Sequence, residues 1–95
     1  MQYKMDLRQW GTVFRGLGNP NRLKILKLLS QNDKLSVSEL ADELDITLKN
    51  TSRNLGILLN LDLVEFRGKH DRVYYSVNSR LAKEVAQILR LVLKT

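Results

Sequence analysis

S-V-S-E-L-A-D-E-L-D-I-T-L-K-N-T-S-R-N-L-G-I-L-L-N-L-D-L-V-E-F-R-G-K-H-D-R-V-Y-Y, residues Ser36 to Tyr75, decides the fold. Ser36 is a good helix N-cap, and Glu39 three residues later completes a capping box. Leu40, Ala41 and Leu44 form the buried side of that short helix, and Asp45-Ile46 is the turn after it. Thr47 caps the next helix, which runs to about Leu61 with Thr51, Leu55, Leu58 and Leu59 toward its apolar side. Leu63–Arg67 and Arg72–Val77 are β-rich segments around Gly68-Lys69-His70-Asp71, in which Phe66, Val73, Tyr75 and Val77 can alternate inward.

Working outward, Leu7, Trp10, Val13, Phe14 and Leu17 fall at helical spacing over Met5 to Leu17, and Gly16 and Gly18 mark the end. Asn19-Pro20 opens a second helix, with Asn as N-cap and Pro at the first position, where its missing N–H costs nothing. Leu23, Ile25, Leu26, Leu28 and Leu29 give it a broad apolar stripe to about Leu29, before the polar turn Gln31-Asn32-Asp33-Lys34. Beyond the ribbon, Asn78 or Ser79 caps a last helix carrying Leu81, Val85, Ile88, Leu89 and Val92. No repeat, linker or low-complexity stretch interrupts the chain. The reading is one domain over 1–95, mainly α (α+β), in the order α-α-α-α-β-β-α: a winged helix-turn-helix.

Sixteen Lys and Arg against ten Asp and Glu give a net charge of +6 over 95 residues, which favours a polyanionic partner. The charge is uneven. Residues 36–46 hold Glu39, Asp42, Glu43 and Asp45 and no base, whereas residues 47–61 hold Lys49 and Arg53 and no acid. The absence of cysteine excludes disulfides, thiolate metal sites and thiol sensing. The single histidine, His70, cannot build a histidine metal cluster within one chain. The first thirteen residues mix Lys4, Asp6, Arg8 and Gln9 among apolar ones, unlike a secretory leader, and no apolar run approaches the ~20 residues that span a bilayer. The expected setting is cytoplasmic and nucleoid-associated, with no membrane partner.

A helix enters the major groove when its exposed face is slim and polar, with donors near its N-terminus. The helix that begins at Thr47 fits. Thr47 and the first free N–H groups suit a phosphate, and Leu48, Lys49, Asn50, Ser52 and Arg53 are the candidate groove contacts. Arg53 suits a guanine edge, worth roughly 1–3 kcal/mol of discrimination, or a phosphate, and the residues leave both open. Arg67, Lys69, His70 and Arg72 crowd around a glycine turn and suit the DNA backbone or minor groove. Each feature alone also fits a solvated surface; their order on the chain is what points to DNA.

L-G-N-P-N-R-L-K-I-L-K-L-L (Leu17–Leu29) resembles the second-helix signature of the ArsR/SmtB winged-helix repressors. S-E-L-A-D-E-L-D-I-T-L-K-N-T-S-R-N-L (Ser38–Leu55) resembles their helix-turn-helix, and G-K-H-D-R-V-Y-Y-S-V (Gly68–Val77) their wing. The resemblance covers about residues 7–92. It implies a homodimeric regulator on a palindromic operator, with the first and last helices at the interface: Leu7, Trp10, Phe14, Val85, Ile88, Leu89 and Val92. The last helix indeed carries more apolar residues than one face of a small core absorbs.

The chain also departs from that family. Where many relatives carry a pair of metal-binding cysteines, it has Ser36-Val37-Ser38-Glu39, and hydroxyls do not bind soft metals. Its last helix has Arg80, Lys83, Glu84 and Arg90 and no His for the second known type of metal site. Asn54 stands where relatives often carry His, and Gly56 falls inside the second helix of the motif at a cost of roughly 1 kcal/mol against Ala. His70 reads as a wing-tip contact rather than a pH switch. Trp10, Tyr3, Tyr74 and Tyr75 read as core and interface residues rather than as the lining of a ligand pocket.

The expected function is therefore a sequence-specific, double-stranded-DNA-binding regulator, a repressor and homodimer that does not respond to metal. No cofactor, metal ligand or catalytic residue is assigned: there is no nucleophile–base pair, no phosphate loop and no metal cluster. The alternative is a winged-helix protein-interaction module that uses the acidic run Glu39-Asp42-Glu43-Asp45. The sequence names neither an operator nor a small-molecule effector.

Overall fold

The computed structural model describes residues 5–95, so Tyr3 lies outside the described residues. The first helix, α1 (Leu7–Leu17), begins two residues later than expected because Asp6 is its N-cap. The Asp6 carboxylate accepts the Gln9 N–H at 2.8 Å and the Gln9 side chain accepts the Asp6 N–H at 2.8 Å, a reciprocal capping box. α2 (Pro20–Gln31) starts on the Asn19 cap and continues past Leu29 to Gln31; its C-cap is Asn32, whose side-chain amide donates to the Leu28 carbonyl at 2.8 Å.

A two-residue strand, β1 (Leu35–Ser36), follows, and the expected element order lacks it. α3 (Val37–Leu44) then starts on the Ser36–Glu39 capping box and stops at Asp45, which takes the left-handed conformation at φ 56°. α4 (Leu48–Asn60) is capped by the Thr47 hydroxyl, which accepts the Asn50 N–H at 3.0 Å. The ribbon is β2 (Val64–Lys69) and β3 (Arg72–Val77), and α5 (Lys83–Val92) closes the chain. The three strands form an antiparallel sheet in the order β1-β3-β2.

One core joins the elements. Ile25, Leu26 and Leu29 of α2 meet Leu40 of α3, Leu55 and Leu58 of α4, and Leu63-Val64 at the root of the ribbon. Val13 and Leu17 of α1 close one side. Burying each such side chain contributes about 1.5–3 kcal/mol relative to leaving it in water. The ribbon outgrows this core. Val64 pairs with Val77 at its buried root, whereas Phe66 and Val73, expected to point inward, lie further out and are exposed.

The last helix also differs from expectation. Its N-cap is Ala82, with no side-chain cap, so neither Asn78 nor Ser79 caps it. Asn78 instead ties two turns together: its amide donates to the Asp62 carbonyl at 2.8 Å and its Oδ1 accepts the Arg80 N–H at 2.9 Å. No helix among the described residues is long and apolar enough to cross a membrane.

Candidate nucleic-acid interface

The turn at Asp45 sends the chain from α3 into α4, whose first two turns present Leu48, Lys49, Ser52 and Arg53 to solvent. No acidic residue lies anywhere on α4. The exposed face offers charged donors, a hydroxyl and one apolar group: Leu48 keeps 55% of its surface in water. Thr47 uses one lone pair on its own helix and keeps its O–H free to donate. Asn50 is half-buried, and its Oδ1 accepts from the Asn54 amide at 2.8 Å. A bidentate reading of adenine needs both ends of an asparagine amide, and here one end of Asn50 is engaged within the helix.

Gly56 lies along the same face as Lys49, Ser52 and Arg53. A β-carbon built there meets nothing within 4 Å, so no neighbouring helix among the described residues requires the glycine.

Strand register sorts the ribbon. Arg67 pairs with Tyr74 and Lys69 with Arg72, so these side chains share one face. Lys34 joins them, its ammonium 4.9 Å from the centre of the Tyr74 ring, a cation–π contact. The sequence puts Lys34 in a polar turn, and nothing local to it reveals which strand face it covers. The turn at the tip differs from the expected glycine turn. It consists of His70-Asp71; Gly68 sits within β2 opposite Val73, and the left-handed residue is His70 at φ 59°. His70 is exposed at the tip.

Arg72 also faces the root of α3. The Glu39 carboxyl is held below its ordinary value, first by the Ser36 backbone N–H at 2.9 Å, then by the Ser36 hydroxyl, with the Arg72 charge adding to both.

The residues expected at a dimer interface divide into two groups. Leu7 is 88% exposed, and Phe14, also exposed, stacks on the half-buried Trp10 at 5.5 Å between ring centroids. Val92 is exposed and Ile88 half-buried, and Leu91 joins them on the surface. Val85 and Leu89, also expected at that interface, are 4% and 5% exposed and belong to the chain's own core, so the exposed surface of α5 is carried by the others. The aromatic residues do not gather. Tyr74 and Tyr75 lie on opposite faces of β3, and Tyr75 packs 5.9 Å from Phe66.

A helix-turn-helix with a donor-rich second helix and a cationic ribbon defines a winged helix-turn-helix DNA-binding domain. Residues 17–66 match the family described as "Helix-turn-helix domain". An HTH-type transcriptional regulator of Methanocaldococcus jannaschii is 36% identical over 81 residues, which are 84% of this chain and 86% of that protein. The solution structure of a homodimeric winged helix-turn-helix DNA-binding domain from Mycobacterium bovis, a possible ArsR-family regulator, is 33% identical with a TM-score of 0.77, over 97% of this chain and 86% of that one. HlyU from Vibrio cholerae is 28% identical with a TM-score of 0.80, over 95% and 96%. The chain belongs to the ArsR-type winged helix-turn-helix family and is a transcriptional regulator.

Proposed function

We propose that this regulator is a sequence-specific repressor that binds a palindromic operator as a homodimer. Two α4 helices enter successive major grooves, and the half-sites lie about one helical turn apart. Leu48, Lys49, Ser52 and Arg53 contact base edges, with Asn50 contributing its amide N–H groups. Thr47, Arg67, Lys69, His70 and Arg72 hold the backbone, and Lys34 adds to that cationic face. Leu7, Trp10 and Phe14 of α1 and Ile88, Leu91 and Val92 of α5 cover their counterparts on the second copy. A DNA target would locate the protein on the nucleoid, in the cytoplasm.

The observation that carries this reading is the acid-free exposed face of α4 beside a ribbon whose cations share one side. The chain holds no cysteine, so any signal it answers does not act through a thiol. Selection of bound sequences from a random DNA pool tests the proposal. A palindromic consensus is expected, with binding abolished in Lys49→Ala/Arg53→Ala; a pool that yields no consensus at 50 mM salt (about the low end at which such contacts hold) refutes it.

A further inference from the structure

Arg22, in the first turn of α2, makes contacts that DNA reading does not explain. Its Nη1 donates to Asn54 Oδ1 of α4 at 3.0 Å, across 32 positions of sequence. Its Nε donates to the Gly16 carbonyl and its Nη2 to the Arg15 carbonyl at 3.4 Å, both in the last turn of α1. Asn54 is 5% exposed, and its amide donates onward to the Asn50 carbonyl at 3.1 Å and to Asn50 Oδ1 at 2.8 Å. One guanidinium thus joins three helices.

Each contact has a physical reason. Carbonyls in the last turn of a helix lack intrahelical partners, and the negative end of the dipole favours a cation there. Asn54 is buried and needs its oxygen satisfied. The fixed, planar set of guanidinium donors serves both at once, which a lysine ammonium on its flexible stem does not do equivalently. A second tie runs beside the first: a β-carbon on Gly16 would collide with the side chain of Leu61 at the α4 C-cap, so α1 and the end of α4 touch closely. The α1 helix held in this way carries exposed Leu7 and the Trp10–Phe14 stack.

We infer that Arg22 is a positioning residue that fixes the reading helix relative to the dimer-forming face, and so sets how strictly the protein measures the distance between half-sites. This rests on the dimeric, DNA-reading proposal above. With the tie intact, the two α4 helices of a dimer are held at one separation and angle. Without it, α4 keeps its core packing through Leu55 and Leu58 but has no polar anchor to α1.

The test uses the full chain, the operator obtained by selection, and versions with one base pair added or removed between the half-sites. The wild type is expected to bind the altered spacings at least ~10-fold more weakly, since one base pair turns the half-sites by about a tenth of a helical turn. Arg22→Gln is expected to shrink that ratio below ~3-fold. Arg22→Lys, which keeps the charge but not the planar set of donors, should behave like Gln. Asn54→Ala, which leaves Arg22 on the α1 carbonyls, should do the same and serves if the Arg22 variants do not fold. Variants that lose thermal stability yet keep the wild-type spacing ratio show Arg22 to be merely structural and overturn the inference alone. A monomer in sedimentation at DNA-binding concentration, or a wild type indifferent to spacing, overturns the dimeric reading and this inference with it.

Discussion

Leu61 lays a δ-methyl group against Gly16, in the space a β-carbon at that position would occupy. Gly16→Ala must push this half-buried leucine aside. Overpacking of that kind costs about 1–3 kcal/mol, and the better helix propensity of Ala offsets about 1 kcal/mol. The expected net destabilisation is on the order of 1 kcal/mol in urea unfolding. In a Leu61→Ala background the clash is gone and the same substitution should stabilise, so a reversal of sign between the two backgrounds is the signature.

Leu48 is the one apolar group on the otherwise polar exposed face of the first two turns of α4, and the partner it suits in a major groove is the thymine methyl. Replacing thymine by uracil at the base facing it should cost roughly 0.8 kcal/mol, the value of one buried methyl group. Titrations of singly substituted operators would locate that position. Leu48→Ala should bind thymine and uracil versions equally.

In the proposed complex the ribbon cations meet phosphates, which carry no sequence information. Lys69→Ala with Arg72→Ala should weaken binding to operator and to random DNA alike. The slope of log affinity against log salt should fall by about 2 per protomer, one for each phosphate no longer neutralised. Arg53→Ala should instead change the preferred base at one position if it meets guanine, and only the slope if it meets phosphate.

Glu39 gives a pH signature. Its carboxyl titrates below its ordinary value because the Ser36 N–H and hydroxyl donate to the charged form, with Arg72 assisting. A group whose folded pKa is depressed lends stability above its unfolded pKa, and that stability disappears as pH falls through the folded one. The stability difference between wild type and Glu39→Gln should therefore be constant near neutrality. It should shrink as pH drops below about 4.5, the ordinary value. Denaturant midpoints measured from pH 7 to pH 3 would follow it.

Local chemistry carries most of the helical elements. Asn19-Pro20, Ser36 with Glu39, and Thr47 each announce a helix start through a side chain next to the N–H it must satisfy, and each cap forms as read. What stays hidden in the sequence depends on partners far along the chain. β1 is two residues long and is a strand only because Leu35 and Ser36 meet Tyr75 and Tyr74 of β3. The apolar stripe of α5 is plain, but periodicity does not say which side of it the protomer keeps. Val85 and Leu89 share that stripe with Ile88 and Val92, and only the fold shows that they are buried in the chain's own core. The importance of Asn54 becomes visible only with Arg22 beside it, though its departure from the family residue is a signal. Gly68 draws the expected turn toward itself; His70 takes the left-handed position instead.

Ser36 is at once the last residue of β1 and the cap of α3: it pairs with Tyr74 across the sheet, and its hydroxyl accepts the Glu39 N–H. No linker separates β1 from α3: one residue ends the strand and caps the helix. Peeling β1 from β3 also strips the first turn of α3 of its cap, so the sheet edge and the helix start open to solvent as one cooperative unit and should exchange their amide protons together.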